Sequence, residues 1–196
     1  MRKANIQRKT TETEVSVAVD LDGKGEGNIA TSVPFMDHML NLFARHGLVD
    51  LTIRSQGDTA VDDHHLVEDV GICLGQAVRK ALGDRKGISR YGASTVPMDE
   101  SLCSVAMDLS GRPYLVYRAE VGTRRIGEFD PALIREFFKS FSDHSGITLH
   151  INLIYGTNEH HMAEAIFKAF ARAFRAAVAR DERIEGVLST KGSLES

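Results

Sequence analysis

Two kinds of hydrophobic pattern run along the chain. Where apolar and polar residues alternate, we expect a strand with one buried face; these segments are residues 14–21, 48–53, 101–109, 114–119 and 147–153, with a short further strand after the turn at 22–27. Where apolar residues recur three and four positions apart, we expect a helix; these segments are residues 35–45, 64–82, 131–143 and 160–179. The predicted order is ββαβα, twice.

The order repeats because the sequence itself repeats. Residues 12–23 resemble 100–111, residues 37–53 resemble 135–151, and the motif HHxxE at 64–68 recurs at 160–164. Similar secondary structure can produce the first two matches by chance but hardly the third, because only 8 of the 196 residues are histidine. We therefore predict an α/β fold, more closely an α+β sandwich, made by gene duplication. A first half at 1–86 and a second half at 87–196 form one compact domain.

Composition narrows the class of protein. With 196 residues, of which 42% are hydrophobic, the chain can bury one sizeable core. The formal net charge of −3 argues against a protein that binds nucleic acid. We find no signal peptide and no run of about 18 apolar residues, so we expect no membrane association. Cys73 and Cys103 lie outside any metal-binding spacing, which is typical of buried thiols in a reducing cytoplasm.

The two HHxxE motifs carry the clearest chemical signal. Each begins a predicted long helix, on which residues four apart lie on one face. His64 with Glu68, and His160 with Glu164, can therefore each chelate a metal ion. The spacing differs from HExxH of zinc proteases, in which the glutamate lies between the ligands. A single HHxxE would favour surface histidines at a helix start, but its duplication favours metal binding.

The second histidine of each motif indicates a second ion. A helix turns about 100° per residue, so His65 and His161 point away from the histidines that precede them. The simplest arrangement is two ions, each held by a His–Glu pair from one motif and a lone histidine from the other. Nitrogen and carboxylate ligands without thiolate suit manganese, iron, cobalt, nickel or zinc.

Further histidines are less specific signals. His38 follows Asp37 on a predicted helix, and its repeat partner Glu136 could also bind a metal. His46 and His144 form a second pair of repeat partners, both near helix ends, where histidine is also common without a ligand.

A set of cationic and hydroxyl residues indicates an anion site. The set consists of Arg90, Arg112, Ser189, Thr190 and Lys191. Arginine offers a bidentate fork, and hydroxyls with a lysine beside a glycine can surround a phosphate. Surface charge explains any one of them equally well, but together with a metal pair they predict a small phosphorylated substrate.

These motifs resemble those of the imidazoleglycerol-phosphate dehydratase family over essentially the whole chain. The matching segments are residues 8–13 (RKTTET), 35–40 (FMDHML), 62–69 (DDHHLVED), 87–92 (GISRYG), 108–113 (DLSGRP), 159–164 (EHHMAE) and 189–192 (STKG). So many motifs in one order make the resemblance specific. It implies a duplicated fold like that of the second domain of ribosomal protein S5. It also implies a homo-oligomer of 24 subunits, with active sites between subunits and two Mn²⁺ in each.

The resemblance also implies roles for individual residues. One ion would be held by His38, His65, His160 and Glu164, and the other by His64, Glu68, Glu136 and His161. Some family members have histidine at the position of Glu136, so this ligand departs from their pattern. The residues in contact with the substrate would be Glu12, His46, Arg90, Arg112, Lys168, Ser189, Thr190 and Lys191.

The family's reaction, in histidine biosynthesis, converts D-erythro-1-(imidazol-4-yl)glycerol 3-phosphate to 3-(imidazol-4-yl)-2-oxopropyl phosphate and water. The C–H bond that breaks is not acidic, because no carbonyl is adjacent to it. Two ions on the substrate imidazole would favour the imidazolate, which can expel the hydroxyl as a diazafulvene-like intermediate forms. Loss of the neighbouring proton then gives the enol and, by tautomerisation, the ketone. Glu12 is the best candidate for the proton shuttle, because the other carboxylates are metal ligands.

Two other functions are compatible with some of these features. A dinuclear metallohydrolase of a small phosphorylated substrate also needs histidine and carboxylate ligands, but it would not bind imidazole or triazole compounds tightly through both ions. A non-catalytic RNA-binding module is suggested only by analogy with the S5 fold, and the net charge of −3 argues against it.

Overall fold

The computed structural model describes residues 1–194 and consists of two halves of equal topology. The first half contains β1 (Lys3–Lys9), β2 (Thr13–Asp20), β3 (Gly27–Ala30), α1 (Pro34–Gly47), β4 (Asp50–Gly57) and α2 (His64–Leu82). The second contains β5 (Tyr91–Met98), β6 (Ser101–Asp108), β7 (Tyr114–Arg118), α3 (Leu133–Ser145), β8 (Thr148–Tyr155) and α4 (Glu159–Val178). The two sheets have the strand orders β1-β2-β4-β3 and β5-β6-β8-β7. The predicted α+β fold with a duplicated half is therefore confirmed.

Each half has one strand more than the predicted ββαβα order. The additional strands are β1 and β5, which pair antiparallel with β2 and β6 at one edge of each sheet. An edge strand can be polar along much of its length, and the only apolar residues of β1 are Ala4 and Ile6. The apolar–polar alternation is therefore too weak to predict this strand. In β5, Gly92 and Pro97 interrupt the pattern. The correct order is βββαβα in each half, and the predicted boundary at 86/87 lies in the connection from α2 to β5.

The helices bring the two halves together. β3 and β4 are parallel and are joined through α1, as β7 and β8 are joined through α3. One helix layer covers each sheet, and the halves meet where α1 packs on α4 and α2 packs on α3. The buried phenylalanines of α1, α3 and α4 fill the space between them: Phe43, Phe137, Phe138, Phe141, Phe167, Phe170 and Phe174. No helix within residues 1–194 combines the length and apolar character needed to cross a bilayer.

Glycines on α2 allow an unusually close approach to α3. A Cβ at Gly71 would lie 2.8 Å from the carbonyl oxygen of Phe137, and one at Gly75 would lie 2.7 Å from that of Phe141. Because these contacts advance in the same direction along both helices, α2 and α3 run parallel. Their N-terminal ends, which carry His64 and Glu136, therefore lie at the same end of the molecule.

Candidate metal centre

Three of the predicted ligands converge where α1 packs on α4. His38 Nε2 lies 2.9 Å and His160 Nε2 lies 3.1 Å from the same atom, Glu164 Oε1. The N-cap of α4 fixes the start of this helix, because the Asn158 side chain accepts hydrogen bonds from the backbone N–H groups of the two histidines that follow Glu159. One turn of α4 then places Glu164 below His160, as the i,i+4 spacing predicts.

Glu164 is the buried member of this group. Only 8% of the residue is exposed, and Lys168 Nζ donates a hydrogen bond of 2.6 Å to its second oxygen, Oε2. Burial opposes ionisation of the carboxyl, but the hydrogen bonds from Lys168, His38 and His160 outweigh it and lower the pKa of Glu164 to about 2. The carboxylate is therefore ionised at neutral pH, as a metal ligand must be.

His46 lies on α1 and is close enough to Lys168 and Arg172 on α4 to be influenced by their charges. Burial lowers the pKa of His46, and the positive charges of Lys168 and Arg172 add to this effect. The imidazole is consequently neutral at pH 7. The predicted substrate contacts His46 and Lys168 thus lie on the helix pair that holds the His38–His160–Glu164 group.

A second group forms around His65 at the start of α2. Its Nδ1 lies 3.1 Å from Asp58 Oδ2 and 3.7 Å from Glu12 Oε2. The hydrogen bond with Asp58 and the charge of Glu12 raise the pKa of His65. A hydrogen bond between Nδ1 and a carboxylate leaves Nε2 available to bind a metal. Ligand histidines are commonly oriented in this way.

Backbone contacts hold Glu12 beside His65. Glu12 lies in the turn between β1 and β2, where the Thr10 hydroxyl accepts hydrogen bonds from the N–H groups of Glu12 and Thr13, at 3.1 and 3.0 Å. The N–H of Asp58 donates to the carbonyl oxygen of Glu12, at 3.1 Å. The turn thus fixes the backbone, while the carboxylate stays exposed to solvent.

The second half repeats this arrangement at His161. Its Nδ1 lies 2.7 Å from Glu100 Oε2, and Glu100 Oε1 also accepts hydrogen bonds from the N–H groups of Thr157 and Asn158. The hydrogen bond with His161 keeps the pKa of Glu100 well below its usual range. Glu100 lies in the turn between β5 and β6 and is the repeat partner of Glu12, so both second histidines have a turn carboxylate beside them.

The remaining predicted ligands do not form a compact group within one chain. Among residues 1–194, the groups of three possible ligand atoms within 4.8 Å are His38–His160–Glu164 and Glu12–Asp58–His65. The Glu136 carboxylate instead accepts a 3.0 Å hydrogen bond from Arg135. His64 and Glu68 lie on the adjacent helix α2. His65 also lies in a different group from the His38 site to which the family resemblance assigns it.

The residues of the first group suit a divalent metal ion. Two imidazole nitrogens and one carboxylate oxygen converge within 4.8 Å, and a donor set of this kind without thiolate suits Mn²⁺, Fe²⁺ or Zn²⁺. The second group adds a buried carboxylate atom, Asp58 Oδ1, that has no hydrogen-bond partner among the described residues. Both groups are therefore chemically competent to contribute to a metal site.

The predicted anion-binding residues lie around one cleft. Its lining includes Arg90, Arg112, Ser189, Thr190 and Lys191. The buried Arg90 side chain binds Asp108 through Nε and Nη2, at 2.7 and 2.9 Å, and donates from Nη1 to the Leu188 carbonyl oxygen at 2.6 Å. Since each terminal nitrogen carries two N–H groups, Arg90 retains one at Nη1 and one at Nη2 for a ligand.

Asp58 and Glu100 are the site residues that the sequence did not single out. Glu100 was visible as the repeat partner of Glu12, because residues 12–23 align with 100–111. Asp58 follows β4 and has no such signal, since its proximity to His65 depends on the path of the chain between β4 and α2.

Comparisons with known proteins point to one family. The family model described as imidazoleglycerol-phosphate dehydratase matches residues 31–174. The protein of that name from Syntrophus aciditrophicus is 64% identical over 195 residues, which is 99% of each chain. The one from Geobacter metallireducens is 58% identical over 193 residues, 98% of this chain and 99% of the relative.

Two solved structures agree with these sequence matches. The imidazoleglycerol-phosphate dehydratase of Staphylococcus aureus has a TM-score of 0.83 at 40% identity and covers 91% of this chain and 99% of its own. The structure of IGPD from Pyrococcus furiosus in complex with (S)-C348 also has a TM-score of 0.83, at 36% identity, over 96% of this chain and 99% of its own. The chain belongs to the imidazoleglycerol-phosphate dehydratase family.

Proposed function

We propose that this protein dehydrates D-erythro-1-(imidazol-4-yl)glycerol 3-phosphate to 3-(imidazol-4-yl)-2-oxopropyl phosphate, a step of histidine biosynthesis. The observation that carries the proposal is the convergence of His38 and His160 on the buried carboxylate of Glu164. Family membership supplies the reaction, and this group supplies a site at which a dehydratase of that kind can bind a metal.

Two Mn²⁺ ions are the proposed cofactors. One ion is assigned to His38, His65, His160 and Glu164, and the other to His64, Glu68, Glu136 and His161. When bound, the ions would supply Lewis-acid chemistry, which would favour the deprotonated form of a substrate imidazole.

The incomplete ligand sets within one chain support a homo-oligomer with active sites between subunits. In one chain the His38 group is a ligand short, while His65 lies in a separate group. The side chains of His38, His65 and His160 are each between 41 and 45% exposed, so they are open to a second subunit. We assign 24 subunits on the family resemblance.

Glu12 is the proposed acid and base. Its carboxylate lies beside His65 but is assigned to no metal, so it is available to accept the proton from the non-acidic C–H bond and to return a proton later. The departing hydroxyl and this proton leave together as water in the overall balance. The enol that remains becomes the ketone when its carbon gains a proton and its hydroxyl group loses one.

The cleft at Arg90 is the proposed phosphate site. Asp108 orients the Arg90 guanidinium through two hydrogen bonds, and Arg112, Ser189, Thr190 and Lys191 face the same cleft. Within one chain this cleft lies at the C-terminal end of α4, because the Arg90 N–H donates to the Ala177 carbonyl oxygen, about 25 Å along the helix from His160. A phosphate held there would therefore fix the reacting carbons against the metal ligands and Glu12 of a second subunit. His46 and Lys168, near Glu164, are assigned to the substrate as well.

The cytoplasm is the proposed location. Cys73 and Cys103 are buried free thiols, and burial raises the pKa of Cys73 to about 11 and that of Cys103 to about 12. Both remain protonated and unreactive, as is common in a reducing compartment.

A dehydration assay tests the proposed function. Metal-depleted protein should be inactive toward the imidazolylglycerol phosphate, and Mn²⁺ should restore formation of the ketone. A triazole compound should inhibit the restored protein, because it can occupy both ions. Hydrolysis of the phosphate ester without dehydration, or full activity after verified metal loss, would refute the proposal.

A further inference from the structure

The two halves differ most in the length of one connection. In the first half, β3 and α1 are joined by residues 31–33, whereas in the second half β7 and α3 are joined by residues 119–132. The long connection does not remain on its own half. It crosses to the start of α4 and to α1 of the first half, where the His38–His160–Glu164 group lies.

Phe129 lies at the end of a tight turn within this connection. Ile126 and Phe129 exchange two backbone hydrogen bonds, of 3.0 and 3.1 Å, and Arg125 Nη1 donates to the Glu128 carbonyl oxygen at 2.6 Å. Gly127 between them has φ +60°, which glycine adopts without strain. The Phe129 side chain is 2% exposed and packs into the molecule.

Phe129 reaches the metal-site group through Phe35. The ring centroids of Phe129 and Phe35 lie 5.0 Å apart, and the Phe35 ring meets the His160 ring edge to face at 5.4 Å. Arg124 anchors the same connection, since its Nη2 lies 2.5 Å from the carboxylate of Glu159, the residue before His160. The connection therefore contacts both the first turn of α4 and the aromatic ring that packs on His160.

His160 is held differently from the second histidines of the two motifs. A carboxylate lies within 3.1 Å of Nδ1 in His65 and in His161. For His160 within residues 1–194, the polar contact of the ring is at Nε2, the atom that faces Glu164. The Phe35 ring, which in turn packs on the buried Phe129, restricts rotation of the His160 ring.

We propose that residues 119–132 position the metal ligand His160, through the Phe129–Phe35 pair, and so set the metal affinity of one of the two sites. This inference rests on the proposed metal function of His160. Phe35 and Phe129 are positioning residues, because they contact the ligand and its neighbour and not the substrate. The other site has no part in this contact, so its affinity should be independent of both phenylalanines.

Equilibrium dialysis with Mn²⁺ on the assembled protein tests the proposal. The variants are Phe35→Leu and Phe129→Leu, which keep an apolar side chain but remove the ring. Loss of a residue that orients a metal ligand commonly lowers the metal affinity 10-fold to 100-fold. We expect a loss of about 10-fold at one site, unchanged affinity at the other, and a melting temperature close to that of a control variant.

The control is Phe174→Leu. Phe174 is a buried ring on α4 that packs on Phe43 and Phe170, far along the helix from His160. It should keep wild-type affinity at both sites. Equal losses in the control and in the two test variants, or no loss in the test variants, would overturn the positioning role. Failure of the wild-type protein to bind Mn²⁺ would instead refute the proposed function.

Discussion

Thr13 and Asp69 join the β1–β2 turn to helix α2 through a buried hydrogen bond, in which the Thr13 hydroxyl donates to Asp69 Oδ2. Arg8 Nε donates to the other carboxylate oxygen at 2.8 Å. The turn carries Glu12, the proposed proton shuttle, and α2 carries His65, the histidine nearest to it. Asp69 therefore sets the position of the shuttle relative to the metal-ligand helix, although it lies outside the site itself.

Asp69→Asn should weaken this link. An amide has one acceptor oxygen, so the Arg8 guanidinium or the Thr13 hydroxyl would face an N–H group in a buried position. We expect a loss of about 1–3 kcal/mol in unfolding free energy and a lower kcat, measured by urea denaturation and by the dehydration assay. The exposed Lys9–Glu14 pair provides a control: Glu14→Gln should cost less than about 1 kcal/mol. Equal losses would contradict the linking role.

Glu12→Gln should abolish most turnover but leave the metal in place. The amide keeps the size of the side chain but cannot accept a proton, and general acid–base catalysis commonly contributes on the order of 10²-fold or more. We expect kcat to fall by at least that factor, with the Mn²⁺ content of wild type by metal analysis. Glu14→Gln, two residues further along the chain on β2, should keep normal turnover. A nearly normal kcat in Glu12→Gln would remove this residue from the mechanism.

Glu136→Ala should lower the metal content or affinity at one site, whereas His144→Ala should not. Glu136 is the repeat partner of the proposed ligand His38 and lies at the end of the molecule where α2 begins. His144 lies two turns further along α3, about 12 Å away at 1.5 Å per residue, and its Nδ1 is 2.9 Å from the Ser140 carbonyl oxygen of its own helix. Metal analysis of the two purified variants side by side decides between them; a loss in His144→Ala alone would mean that the repeat alignment misassigned the ligand.

Removal of the metal should reduce the size of the particle. If each site takes ligands from two copies, the ions join subunits as well as bind substrate. Dialysis against a chelator should therefore give smaller particles in light scattering, and Mn²⁺ should restore them. A parallel sample dialysed against chelator saturated with Mn²⁺ controls for the dialysis. A particle of unchanged size after verified metal loss would contradict sites shared between subunits.

Asp108→Asn should weaken substrate binding more than it slows the chemical step. The carboxylate binds the buried Arg90 through both oxygens, and an amide can accept only with one. The misoriented guanidinium should raise KM about 10-fold, in line with the 1.5–3 kcal/mol typical of a hydrogen bond to a charged group, while kcat changes less. Asp143→Asn, in an exposed pair with Lys139, is the matched control. An unchanged KM would argue against the Arg90 cleft as the phosphate site.

Much of the fold could be read from local patterns. Helix α2 begins at His64 and ends at Leu82, where the apolar spacing predicts it, because a helix that buries one face must repeat its apolar residues with the helical period. The strands β1 and β5 were missed for the complementary reason. At a sheet edge the pairing of the backbone, and not an apolar face, holds the strand in place, and that pairing leaves little trace in the side chains.

The candidate residues for the chemistry could be predicted from the sequence alone, because the duplicated HHxxE motif, its i,i+4 spacing and the family motifs are local properties of the chain. How these residues group depends on the packing of the helices and turns. His38 meets His160 and Glu164 because α1 packs on α4. His65 meets Asp58 and Glu12 because a turn and a loop converge on the start of α2. Such contacts join residues up to 126 positions apart, and their distances depend on how the two sheets press the helices together, which no local pattern encodes.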